Sequence, residues 1–306
     1  MADHSAYYEK AFAKLTSGKL EKLRNFQNTY LSDSKQPIPV AYYMFSGPDF
    51  LFVDQFFPNA SVYIMCGQEA LGPPPDPLRV GDLRAALGNL ENAMKSSLAT
   101  TYFITQDMKV DLESQHLRGT LPILYVFLAR ADKTLRDVTL GCLDRGGAFR
   151  EGGRDGTPGV RINYIDNHSR RAQTLFYFTT DISNGGISSN PSFMNFCHQH
   201  GVGGSFLKSS SYLMFEDSFS RVRNFILDHS SMIVQDDSGI PLRYFNRDKW
   251  NLRMFGSYVG PINIFKQHYQ SDLAHLFEQS NPAPFGIGFG YQWDFRKSNL
   301  IVATRN

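Results

Sequence analysis

Two short apolar runs at residues 40–45 and 61–67, joined through a turn and a helix-length segment, constrain the fold more than any other feature. The first run is bounded by Pro39 and by Ser46-Gly47-Pro48, the pattern of a buried strand entering a turn. Residues 49–57 then read as a helix that Pro58-Asn59 stops, and 61–67 as a second buried strand. Strand, helix and strand within about 30 residues form a βαβ unit, so these two strands must lie parallel in one sheet.

The alternation continues in both directions. Residues 5–33 carry Tyr8, Phe12, Leu15, Leu20, Leu23, Phe26 and Leu31 at helical spacing, broken by Thr16-Ser17-Gly18. After the stiff Gly72-Pro73-Pro74-Pro75-Asp76-Pro77 linker, helices are expected at 78–97 and 107–115, a helix or strand at 121–130, and a strand at 135–143. The glycine-rich, charged stretch 144–159 reads as a mobile loop. Strands follow at 160–165 and 174–179, and a helix at 191–198. Helical spacing marks 205–215 and 219–229, strands 232–235 and 252–258, and a long amphipathic helix 263–277. Residues 285–293 and 299–304 read as a closing antiparallel hairpin.

The expected fold is therefore α/β: a mostly parallel, Rossmann-like sheet with helices on both faces and a C-terminal antiparallel hairpin. The expected organisation is an N-terminal helical segment, 1–36, and a single α/β domain, 37–306, with two halves divided near the 144–159 loop. Its 306 residues suffice for a substantial core, and 14% aromatic content argues against disorder. Charge excludes other classes. With 31 Lys+Arg against 29 Asp+Glu and no basic block, nothing points to nucleic acid. No apolar run reaches the ~18 residues of a membrane span. Cys66, Cys142 and Cys197 are too few and too scattered for a disulfide framework, although one bridge with one free thiol remains open. The opening Met1-Ala2-Asp3-His4 fits a cytoplasmic chain and equally one whose export signal has been removed.

From residue 40 onward, over about two-thirds of the chain, this order of elements is similar to the class I methyltransferase architecture, a Rossmann-like sheet ending in a reversed strand. That resemblance implies a ligand turn after the first strand, here Ser46-Gly47-Pro48-Asp49, and an acidic residue after the second strand that holds a ribose, here Glu69. The family's glycine pattern is missing, and Pro48 removes a backbone N–H, so no tight binding of S-adenosylmethionine or a dinucleotide is expected. The sequence names no cofactor. Ser211-Tyr212-Leu213-Met214 and the stretch 235–241 also resemble phrases in uncharacterised bacterial proteins, with no activity attached.

Candidate chemistry gathers at the strand ends, where α/β proteins bind ligands. Ser46 and Asp49 follow the first strand, although Asp49 also suits a helix cap. Asp236 and Asp237 are adjacent carboxylates after another strand, so one of them should titrate high; a solvated turn is the plainer reading. Lys208 and Tyr212 stand i, i+4 and would share a helix face for proton transfer. Asp107 joins Ser46, Asp49, Glu69 and Asp237 as expected ligand contacts, with Lys208, Tyr212 and Asp236 as expected catalytic groups. Cys197-His198-Gln199-His200 lacks a fourth ligand and reads as a helix C-terminus, so no metal is expected. Gly286-Ile287-Gly288-Phe289-Gly290 reads as a glycine-rich strand, since no helix follows it. No G-x-S-x-G, P-loop or H-E-x-x-H motif occurs. The expected function is binding of a small polar molecule across the strand ends, with or without catalysis. The alternative is a non-catalytic interaction protein on a degenerate methyltransferase-like fold.

Overall fold

A computed structural model describes residues 2–45, 47–76, 78, 80–100, 117–293 and 298–306. Ten strands form one sheet: β1 (Ile38–Tyr43), β2 (Ala60–Gly67), β3 (Lys133–Leu143), β4 (Phe149–Glu151), β5 (Thr157–Asp166), β6 (Ala172–Thr179), β7 (Gly203–Leu207), β8 (Ser230–Gln235), β9 (Trp250–Gly256) and β10 (Asn299–Arg305). Their order is β4-β3-β5-β6-β2-β1-β7-β8-β10-β9. The central strands β6, β2, β1, β7 and β8 run parallel. Everything outside them is antiparallel: β5, β3 and β4 on one flank, β10 and β9 on the other.

The mostly parallel sheet expected from the sequence is thus replaced by a mixed one, antiparallel at its C-terminal end. Only residues 167–171 separate β5 from β6, a span too short for the crossover that parallel strands need. The C-terminal hairpin is also overturned. Residues 285–293 form no strand beyond a single Phe289–Gln292 bridge, and β10 instead inserts between β8 and β9. Two expected helices differ as well. Residues 205–215 begin as β7, and 263–277 divides into a 3₁₀ segment, Asn263–His268, and a shorter helix. The 144–159 stretch holds β4 and the start of β5 rather than one loop.

Side chains alternate across the central strands and build a core on each face. Ala41, Tyr43, Tyr63 and Met65 face one core, and Tyr42, Met44, Ile64 and Cys66 the other. The first core is covered by α1 (Ala2–Leu15), α2 (Glu21–Tyr30), α3 (Phe50–Phe56), α4 (Leu83–Thr100) and α5 (Leu121–Arg130). The second is covered by α6 (Asn184–Ser189), α7 (Ser192–Gln199) and α8 (Ser220–His229), while α9 (Ser271–Ser280) packs Leu273 and Phe277 against Met254 and Ile301. Tyr8, Phe12 and Phe26 place the N-terminal helices within the first core. All three cysteines are buried and unbridged. Among the described residues no helix is long and apolar enough to cross a membrane.

Candidate functional site

The strand order reverses direction beside β1: the chain goes from β1 to β2 and β6 on one side, and β7 and β8 lie on the other. Loops after the strands diverge at such a point and leave a crevice. A cleft of about 400 Å³ opens there, lined by residues that follow β1, β2, β6 and β7. Asp49, Glu69 and Lys208 all line it, as do Gly47, Gly67 and Tyr291. Of the other expected residues, Ser46 and Asp107 lie outside the described residues.

Asp49 occupies the N-cap position of α3, where its carboxylate also meets a buried lysine. Its Oδ2 accepts hydrogen bonds from Lys208 Nζ and from the Tyr43 hydroxyl, the latter at 3.2 Å. Both side chains of the ion pair are almost fully buried, 2% and 1% exposed. Burial pushes the Asp49 carboxyl up from its ordinary range, against the pull of the Lys208 ammonium. Burial likewise pushes Lys208 down, opposed by Asp49 and then by Asp236. The Lys208 ammonium also lies 3.7 Å from the centre of the Phe52 ring, which favours the charged form.

Lys208 and Tyr212 do not share a helix face. Ser209, Ser211 and Tyr212 all have left-handed backbones, with φ of 52°, 52° and 55°. Such conformations cost about 1–3 kcal/mol each and persist only where surrounding contacts impose them. Here the loop after β8 imposes them. Ser209 N–H donates to Asp236 Oδ2 at 2.9 Å, and Ser210 N–H to Ser238 Oγ at 2.7 Å. Tyr291 donates to Ser209 O at 3.0 Å, while Gly290 carries no Cβ because one would fall 1.9 Å from Asp236 Oδ2.

Asp236 and Asp237 therefore stand behind the cleft wall and do not line it. Asp237 points away, accepting from the Tyr212 hydroxyl at 2.7 Å and from Asn299 Nδ2 at 3.0 Å. Asp236 is pushed up, to about 7, by burial and then by the Asp237 carboxylate. Burial also raises Asp237, against hydrogen bonds from Asn299 and Tyr212. Neither is the solvated turn that the sequence also allowed: they are 2% and 4% exposed.

The groups that sequence reasoning missed are Ser209, Ser210 and Tyr291. The hydroxyls of Ser209 and Ser210 are buried in the cleft wall without a hydrogen-bond partner. Three consecutive serines directly after Lys208 were the available signal, hidden by reading 205–215 as helix. Cys197, His198 and His200 sit at the C-terminal end of α7, where His198 Nδ1 meets His229 Nε2 at 3.1 Å. The chain matches no protein-family model, no curated protein and no solved structure.

Proposed function

We propose that this chain binds a small polar, hydroxyl-bearing ligand in the carboxyl-edge cleft. The observation that carries this reading is the pair of buried, partnerless hydroxyls on Ser209 and Ser210, residues that line the same cleft as Glu69. A buried polar group without a partner costs about 1–3 kcal/mol, which a ligand hydroxyl or anionic oxygen would offset. Glu69 supplies an acceptor for ligand hydroxyls, and the serines supply donors to an opposite end. Lys208 and Asp49 form the proton-transfer pair if the bound molecule reacts.

The likeness to class I methyltransferases gains support from the strand succession, in which reversed β10 separates β8 from β9. It makes nucleosides the first class to test. The turns after β1 and β2 press together, a Cβ on Gly67 falling 3.2 Å from Gly47 Cα and 2.5 Å from the Tyr177 hydroxyl. That crowding, with Pro48, favours weak over tight binding of an S-adenosylmethionine-like cofactor, and it is also what favours the interaction-protein reading. A thermal-shift screen of nucleosides, S-adenosylmethionine, sugars and divalent metals decides between them. A ligand at 100 times its Kd should add about 2.7 kcal/mol, and Glu69→Gln should remove that gain without changing unliganded melting. A screen in which no class shifts the transition would leave the interaction-protein reading standing.

A further inference from the structure

A second cavity, of about 560 Å³, lies at the opposite, amino edge of the sheet, between α2, α3 and the ends of β3 and β5. Its floor is ionic. Lys133 Nζ lies 2.9 Å from Asp54 Oδ1 and 3.1 Å from Asp166 Oδ1, so two carboxylates surround one ammonium and leave a formal charge of −1. The three side chains are 3%, 6% and 7% exposed. Three further cations line the cavity: Arg24 on α2, Lys35 beyond it, whose Nζ also donates to Asn28 Oδ1, and Arg130, which pairs with Glu9.

Beside these charges stand two unanswered amides. Gln27, 1% exposed, lines the cavity with no hydrogen-bond partner for Nε2. Gln55 lines it with no partner for Oε1. Gln27 is three residues from Arg24 on α2, so the free N–H donor and the guanidinium share one side. Gln55 follows Asp54 on α3, and both residues line the cavity. The cavity lining thus combines a free donor and cations with a free acceptor and anions. Its volume greatly exceeds the ~30 Å³ share of one water and falls within the range of small-molecule sites.

We infer that the amino-edge cavity binds a small zwitterion of the α-amino-acid type. Its carboxylate would take Gln27 Nε2 with Arg24 and Lys35, and its ammonium would take Gln55 Oε1 with Asp54 and Asp166. This site is separate from the carboxyl-edge cleft and does not depend on the reading of that cleft.

L-alanine is the probe, titrated into the full chain by calorimetry and by saturation-transfer NMR. The expected result is saturable binding, with propionate and ethylamine, each carrying half of the charge pair, weaker by about tenfold or more. Gln27→Leu should weaken L-alanine by a similar factor, and Glu69→Gln, at the other edge, should leave it unchanged. Gln55→Leu provides the same reading on the ammonium side should Gln27→Leu fail to fold. Absence of L-alanine binding, equal binding of propionate, or undiminished binding by folded Gln27→Leu or Gln55→Leu would each overturn the site and leave the cavity to water. Loss of binding in Glu69→Gln would move the probe to the carboxyl edge and overturn it equally.

Discussion

Asp49 and Asp54 lie five residues apart at α3, yet each meets a buried lysine at a different edge of the sheet. At the carboxyl edge one carboxylate contacts one ammonium, and burial pushes both toward their neutral forms. At the amino edge one ammonium is divided between two carboxylates. Burial pushes Asp54 up, whereas for Asp166 burial is outweighed by hydrogen bonds from Ser169 and Lys133, which hold it below its ordinary range. The lesson is that an ammonium alone does not set the charge of a buried carboxyl; the depth of burial and the additional donors set it together. Asp166 accepts Ser169 Oγ at 2.5 Å and Ser169 N–H at 3.0 Å, whereas Asp49 accepts the Tyr43 hydroxyl at 3.2 Å beside Lys208.

That contrast predicts which lysine matters more for stability. Lys133→Met strands two buried carboxylates and should cost about 3–5 kcal/mol in urea denaturation, the range for breaking a buried pair. Lys208→Met strands Asp49, already displaced toward its protonated form, and should cost less. Equal losses would mean that the two edges are equivalent and that the extra donors around Asp166 count for nothing.

Removing a donor instead of a charge should have a smaller effect. Tyr212→Phe deletes the 2.7 Å bond to Asp237, and a hydrogen bond to a charged group is worth about 1.5–3 kcal/mol. A loss inside that interval, with the fold retained by circular dichroism, would identify Asp237 as charged in the native state. No loss would identify it as protonated, with its charge discarded.

Asp236 sharpens the comparison through pH. Its folded pKa of about 7 lies above the ordinary 3.8, so the native state holds a proton that the unfolded chain has released. The resulting stabilisation is complete below about pH 3.8 and is lost as pH rises toward 7, at up to about 1.4 kcal/mol per pH unit. Asp236→Asn should flatten this part of the stability–pH curve. An unchanged slope would assign the titration to another group.

The smallest expected effect is Ser209→Ala. Its hydroxyl has no partner, so unliganded stability should move by no more than about 0.5 kcal/mol, while any ligand-induced shift at the carboxyl edge should shrink. A large loss of intrinsic stability would show the hydroxyl serving the fold instead.

The β1-α3-β2 unit was legible because short apolar runs flanked by Pro and Gly admit few alternatives. Residues 205–215 were misread because a five-residue buried strand and a helical segment share the same apolar letters. What distinguishes them is tertiary: Gly203 and Gly204 pack against Val40 and Phe57 where no Cβ would fit. Asp49 and Glu69 were found because strand ends are readable, and Lys208 only through a helical spacing that the structure does not keep, whereas the inward turn of Tyr212 toward Asp237 depends on three left-handed residues that no local pattern announces. The amino-edge cluster escaped notice although Asp54 stood in plain view. A carboxylate inside Phe50-Leu51-Phe52-Val53-Asp54-Gln55-Phe56-Phe57 has to be buried, and a buried carboxylate requires a partner.

The sheet's outermost strands bear on behaviour at high concentration. A ten-stranded sheet that leaves long, bare margins invites strand-by-strand growth into aggregates. Here β4 is three residues long and carries exposed Arg150 and Glu151. On the far side the Gly256 N–H next to the end of β9 is already taken by Ala283 O at 2.9 Å, and the Arg253 guanidinium reaches across to Tyr30 O at 2.8 Å. The first margin continues into β3, whose outer edge before Gly141 bears exposed Arg136 and Asp137 and a bulge between Leu135 and Asp137, and the other is partly occupied by the chain's own loops.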